Sequence, residues 1–231
     1  MDIQVHEIGV EKNRVVVIDD FLPDATRAVE AAAGLSPFPP ETGTAYPGLR
    51  RVVTPAEIAA DAYMVALLEQ AAPFIGGVFD ADAFDLLEAS FSLVTRRRED
   101  LAVAQRVPHF DSPDPGLLAV LHYLNDIPGT GTCFYRHRAT GIERVTADLI
   151  PQLHAAAVQE LAQFGQPNPG FIGDSDERYE KILHVDGRFN RLLIYQGALL
   201  HSGFIPEDFT FSEDPRTGRL TGNLFVQVSG R

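Results

Sequence analysis

Between residues 86 and 228 the chain is a series of short β-prone runs broken by turn signals, and this pattern limits the fold more than any other feature. Leu87, Ala89, Phe91 and Leu93 alternate with Glu88, Ser90, Ser92 and Val94, which predicts a strand with one wet face. Residues 117–124 form a strand buried on both faces. Residues 132–136, 179–185, 189–195, 198–204 and 219–228 are further strands. Turns fall at 112–116, at Gly129-Thr130-Gly131, at Asp186-Gly187 in hairpin form, and at Gln196-Gly197. One helix interrupts the series at 146–164. Pro151 lies in its first turn, Leu153, Ala157, Leu161 and Phe164 share a face, and Gly165 caps its end. Seven or eight short strands around one helix predict a mainly β chain, a β-sandwich or jelly roll with flanking helices.

Before residue 75 the pattern is different. Residues 14–21 are β-branched and predict an early buried strand, and an alanine-rich helix follows and stops at Gly34. Residues 36–48, rich in Pro and Gly, are irregular. Thr54-Pro55-Ala56-Glu57 is a capping box that opens a second helix, and Pro73 ends it near Ala72. Ile58, Ala62, Val65 and Leu68 or Ala72 form its apolar stripe. These helices are expected to cover one face of a sheet. No repeat, linker or boundary divides the chain. We expect one domain over 1–231, with helical support mostly in 20–75 and the β core at about 84–228.

Hydrophobic residues make up 45% of the 231, enough for a sizeable core. A formal net charge of −13 repels phosphate backbones and anionic lipids, which argues against nucleic acid and membrane partners. The basic groups Arg96-Arg97-Arg98 and Arg136-His137-Arg138 do not reverse that balance. A single cysteine, Cys133, allows neither an intramolecular disulfide nor a thiolate metal site and reads as a small buried residue. No signal-peptide pattern opens the chain, and no apolar run approaches the length of a membrane span, so a reducing cytoplasm is the expected compartment.

The chemistry centres on Pro108-His109-Phe110-Asp111. On extended backbone, His109 and Asp111 point the same way. Together they supply two thirds of a 2-His-1-carboxylate triad, the arrangement that holds Fe(II) and leaves coordination positions open. His201 is the best third ligand. Each residue also has a plain structural role open to it: His109 bonded to backbone, Asp111 in a turn, His201 in an apolar core. A second His-x-Asp, His184-Val185-Asp186, sits at a turn, too far along the chain to share a metal with His201. His6, His122, His137 and His154 have no partner at ligand spacing and read as structural or exposed.

Taken in order, Val17-Ile18-Asp19-Asp20-Phe21-Leu22, Pro108-His109-Phe110-Asp111, Leu121-His122-Tyr123-Leu124-Asn125, Gly129-Thr130-Gly131-Thr132-Cys133-Phe134, Leu199-Leu200-His201-Ser202-Gly203 and Gly218-Arg219-Leu220-Thr221 resemble the Fe(II)/2-oxoglutarate-dependent oxygenases, within them the prolyl 4-hydroxylase-like branch. The resemblance implies a double-stranded β-helix, a jelly-roll variant. It implies that His109, Asp111 and His201 bind iron at the catalytic centre, and that Arg219 pairs with the distal carboxylate of 2-oxoglutarate, helped by Tyr123 and Thr221. A buried carboxylate needs a charged partner, and a guanidinium offers two parallel donors. Arg219 lies further from His201 than is usual in the family, and Arg216 competes for the role. Alternation places Arg219 opposite Leu220, Gly222, Leu224 and Val226, whereas Arg216 sits in a turn. The implied activity is hydroxylation of an amino acid, a peptide or a protein side chain, with residues 96–107 as a lid. Two other readings remain: a cupin-like metal-binding jelly roll without 2-oxoglutarate, and a non-catalytic binding module. The oligomeric state is not legible.

Overall fold

Val15, Val16, Val17 and Ile18 are all buried, which requires a strand covered on both faces. Val16 and Ile18 pack towards the helices, and Val15 and Val17 towards a second sheet. This is β2 (Asn13–Asp19) in a computed structural model that describes residues 1–40 and 46–230. Its antiparallel partners are β1 (Asp2–Ile8) and β8 (Arg191–Gln196). β8 continues to β5 (Leu117–Tyr123), β10 (Leu220–Ser229), β4 (Ala83–Val94) and β3 (Gly48–Val52), giving the order β1-β2-β8-β5-β10-β4-β3. A smaller sheet, in the order β7-β6-β9, is built from β7 (Tyr179–Asp186), β6 (Gly131–His137) and β9 (His201–Phe204). From β5 onward the chain passes back and forth between the two sheets, as a jelly roll requires. Helices α1 (Thr26–Gly34) and α2 (Ile58–Phe79) cover the outer face of the large sheet. α3 (Ile150–Phe164) lies between β6 and β7 in sequence.

Several expectations need correction. β1 carried no burial signal, because Ile3 and Val5 on this edge strand stay about half exposed. Pro73 does not end α2, which runs on to a left-handed Asp80. Proline removes a backbone donor at a cost of about 3 kcal/mol. Burial of Ile75, with Phe74, Val78 and Phe79 packed against the core, offsets that cost. The unbroken helix has 22 residues and is long and apolar enough, by length and composition, to cross a membrane, contrary to the sequence reading. Here it lies on the sheet through Ala60, Tyr63, Met64, Leu67, Ala71 and Ile75, while Ile58 and Val65 of the expected stripe are exposed. α2 is apolar nearly all round, so periodicity could not choose its face. The capping box forms as a separate turn ahead of the helix, Glu57 accepting from the Thr54 N–H at 2.7 Å. In α3 the buried face carries Ala156 and Glu160, whereas Leu161 and Phe164 are substantially exposed. Asp186-Gly187 closes no hairpin: it carries the chain from the small sheet to the large one. Of the stretch 36–48, residues 41–45 lie outside the described residues.

A buried polar relay fixes α2 to the sheet. The Leu22 N–H donates to Asn190 Oδ1 at 2.9 Å, and Asn190 Nδ2 donates to the Leu22 carbonyl at 2.8 Å, which sets the orientation of the amide. Asn190 Oδ1 therefore accepts from His122 Nε2 at 3.0 Å, and His122 Nδ1 accepts from the Tyr63 hydroxyl, also at 3.0 Å. Gly222 makes room, since a Cβ there would lie 2.1 Å from the Tyr63 oxygen. Burial lowers His122 from 6.5 to about 4. The unfolded chain thus binds a proton between those two values that the folded chain refuses. The contribution is complete above pH 6.5 and declines as pH falls towards 4, by about 3 kcal/mol in all. His122→Gln should lower stability at pH 7.5 and flatten the loss between pH 6.5 and 4. Denaturant titrations of both proteins across that range check it, and parallel curves would refute it.

Candidate metal centre and its cavity

His109 and His201, far apart in sequence, are joined by paired backbone hydrogen bonds. His109 N–H donates to the His201 carbonyl at 2.9 Å, and His201 N–H donates back at 2.8 Å. Two residues on, Asp111 N–H donates to the Gly197 carbonyl at 2.7 Å. The 109–111 segment is held extended against the start of β9, so its imidazole and carboxylate leave on the same side. Phe134 of β6 faces His201 across the small sheet. The three side chains converge. His109 Nε2 is 3.9 Å from Asp111 Oδ1, His201 Nε2 is 3.6 Å from Asp111 Oδ2, and the three candidate ligand atoms lie within 4.8 Å of one another. His201 Nδ1 donates to the Leu199 carbonyl at 2.7 Å, which leaves Nε2 with its lone pair towards the cluster.

Burial lowers His109 to about 4, assisted by His201, and lowers His201 to about 4. It raises Asp111 to about 6, against the pull of His109 and Arg50. Two neutral imidazoles and one carboxylate form the donor set that a divalent ion accepts.

The cluster opens into a cavity of about 390 Å³. Arg219 lies on its wall, 5% exposed. Its Nη2 donates to the Gly131 carbonyl at 2.8 Å, and its guanidinium sits over the Tyr123 ring at 5.5 Å. Arg219 Nε is buried without a hydrogen-bond partner, and among the described residues no carboxylate pairs with this cation. Thr221, two residues on along the same face of β10, also lines the cavity. Tyr123 faces the space between the sheets, but it stands behind the wall, its hydroxyl bonded to Thr132 Oγ1 at 2.6 Å. Arg216 is exposed and paired with Glu30 and Asp214, away from the cavity.

The remaining candidates fall elsewhere. His184 is 3.6 Å from Asp186, with no third ligand among the described residues. His137 is buried, 3.0 Å from Glu160, and Cys133 is a buried free thiol. Of residues 96–107, Gln105 reaches the cavity, tied by its amide to the Tyr46 carbonyl at 3.1 Å. Arg50, Ser92, Tyr195 and Asn223 line the cavity and were missed. Ser90 and Ser92 were legible as the polar face of β4, but that face meets the interior and both are buried. Arg50, beside Arg51, carried no signal that set it apart from surface charge.

Residues 1–226 match the profile of a family described as "Family of unknown function (DUF6445)". No curated protein matches the sequence. Among solved structures, the chain resembles HygX from Streptomyces hygroscopicus with nickel, 2-oxoglutarate and hygromycin B bound, at 15% identity and a TM-score of 0.56, covering 95% of this chain and 84% of that one. The non-heme alpha ketoglutarate dependent epimerase SnoN from nogalamycin biosynthesis matches at 15% identity and 0.54, over 94% and 79%. A prolyl hydroxylase from Trichoplax adhaerens, in complex with a hypoxia inducible factor peptide fragment, matches at 11% and 0.50, over 95% and 84%. The likeness is one of fold, the jelly-roll core.

Because Asp111 must lose its proton to ligate, Mn(II) affinity should be flat above pH 7 and fall with a one-proton slope below about 6. His201→Ala should weaken Mn(II) binding by more than the ~10–100-fold that loss of an outer-shell partner costs. Electron paramagnetic resonance titration of free Mn(II) checks both, and unchanged binding in His201→Ala would show that the ion sits elsewhere.

Proposed function

We propose that this chain, which belongs to the DUF6445 family, is an Fe(II)- and 2-oxoglutarate-dependent oxygenase that hydroxylates an amino acid, a peptide or a protein side chain. One observation carries the reading: a buried guanidinium with an unused donor shares a cavity with a His-Asp-His cluster. The fold neighbours that bind iron or nickel together with 2-oxoglutarate support it. A cupin-like jelly roll without 2-oxoglutarate has no use for Arg219.

In this reading His109, Asp111 and His201 hold the ion, and Arg219 takes the distal carboxylate of 2-oxoglutarate. Bound iron and 2-oxoglutarate supply the oxidation of a substrate C–H bond, with dioxygen consumed and succinate and carbon dioxide released. The chain does the positioning. Tyr123 supports the Arg219 guanidinium from below, and the Tyr123–Thr132 hydrogen bond fixes that ring. Thr221 offers a hydroxyl beside Arg219. Phe110, Phe171 and Phe225 line the cavity and limit water around the reacting groups.

Purified protein should form succinate from 2-oxoglutarate only with Fe(II) and dioxygen, and Asp111→Ala should abolish it. Arg219→Met should raise the 2-oxoglutarate KM at least about tenfold, since a charge-assisted pair contributes ~1.5–3 kcal/mol. Arg216→Met should leave it unchanged. If Arg216→Met raises the requirement and Arg219→Met does not, the assignment of the two arginines is wrong. If wild-type protein binds Mn(II) but never 2-oxoglutarate, the oxygenase reading fails.

A further inference from the structure

Arg50 is a second guanidinium in the same cavity. It lies on β3 opposite Ser92 of β4, and its side chain is 16% exposed. Its Nε donates to Ser90 Oγ at 3.1 Å, its Nη2 pairs with Glu88, and its plane sits over the Phe225 ring at 5.4 Å. The aromatic face and Ser90 fix its direction, and Nη1 makes no hydrogen bond to any described residue. Arg219 reaches the backbone of Gly131 on the small sheet, whereas Arg50 comes from the strand at the far edge of the large sheet. Among the described residues, the cavity wall carries these two guanidiniums and a single carboxylate, Asp111, in a chain whose net charge is −13. Glu88 pairs with Arg50 through Nη2 alone and is a third exposed, so solvent weakens that pair.

We infer that Arg50 is a substrate-recognition residue and that the substrate presents an oxyanion, a carboxylate or a phosphate, to its free edge while 2-oxoglutarate occupies Arg219. This rests on the oxygenase reading for the word substrate; the anion site itself does not. Two arginines at separate places in one cavity hold two acids apart, so the cosubstrate and the substrate do not compete for one cation. A guanidinium with one edge already engaged retains donors for one further oxyanion, which suits a single acidic group.

The test uses the Mn(II)-loaded, 2-oxoglutarate-saturated protein, with acetate and inorganic phosphate as probes. Mn(II) near a bound anion speeds relaxation of the acetate methyl protons and of the phosphate phosphorus, measured by NMR. Wild-type protein should show saturable relaxation with one probe, and the preferred probe identifies carboxylate or phosphate. Arg50→Met should weaken it at least tenfold. Glu88→Gln should tighten it at least twofold, because the competing carboxylate is gone. The double variant, which leaves no stranded carboxylate to disturb folding, should match Arg50→Met. Relaxation that persists in both Arg50 variants would mean that the probe binds the ion directly and would overturn the inference. So would an absence of saturation in wild type, or weaker binding in Glu88→Gln. If the protein takes up no 2-oxoglutarate, the oxygenase reading falls, and the same titration with Mn(II) alone still decides whether Arg50 binds anions.

Discussion

Two backbone hydrogen bonds between His109 and His201 hold the site together. They join a loop to the first residue of β9, and every ligand direction follows from that join. Side-chain contacts alone would leave the 109–111 segment free to rotate about its backbone. The ladder fixes its pleat, and the third bond, from Asp111 to Gly197, fixes where the pleat ends. The geometry of the candidate metal centre is therefore a property of strand pairing, and its precision is that of a sheet.

That pairing depends on a buried carboxylate further back in the chain. Glu143 is fully buried and accepts from Arg136 Nε at 2.7 Å and from the Val10 N–H at 3.0 Å. Gly9 turns beside it at φ 69°, where a Cβ would lie 1.9 Å from the carboxylate, so only glycine fits. On the other side, Leu200 N–H donates to the Glu143 carbonyl and Val145 N–H to Ala198, both at 2.8 Å. The residues just before His201 are thus held by a segment that is itself fixed to the N-terminal hairpin and to β6. Glu143 is buried but Arg136 is a quarter exposed, so solvent screens the pair and losing one partner costs less than the about 3–5 kcal/mol of a fully buried one. Here the disturbance would reach His201 through only a few bonds.

What was legible in the sequence follows from these physics. β2, β5 and β8 are buried on both faces, so unbroken apolar runs announced them. Alternation along β10 separated Arg219 from Leu220, Gly222 and Leu224, and the structure places Arg219 at the cavity and Arg216 outside it. Period-two reasoning failed where a polar face meets a cavity instead of solvent: Ser90 and Ser92 were read as wet, yet they sit beside Arg50 and Asn223. Helical faces failed for two reasons. α2 is apolar nearly all round, and its face is chosen by Tyr63 reaching over Gly222 to His122. In α3 the buried stripe contains Glu160, which meets the buried His137, a pairing between distant elements that local patterning cannot show.

Three places where the chain breaks local rules lie around one cavity. Arg219, just before β10, is buried with no carboxylate partner among the described residues, the hydroxyl of the Tyr123 ring beneath it is turned to Thr132, and Arg50 has one edge free of the described residues. Leaving a buried donor unmade costs about 1–3 kcal/mol, more for a charged group. A methionine at Arg219 would pack over Tyr123 at no such cost, and nothing in the β-sheet requires a cation there. Natural sequences keep such conflicts where something outside the chain resolves them. A divalent ion on the His-Asp-His cluster and an anion between it and Arg219 would satisfy the imidazole lone pairs and the orphaned Nε together, which makes this arrangement of unmet needs more specific than any one motif that encodes it.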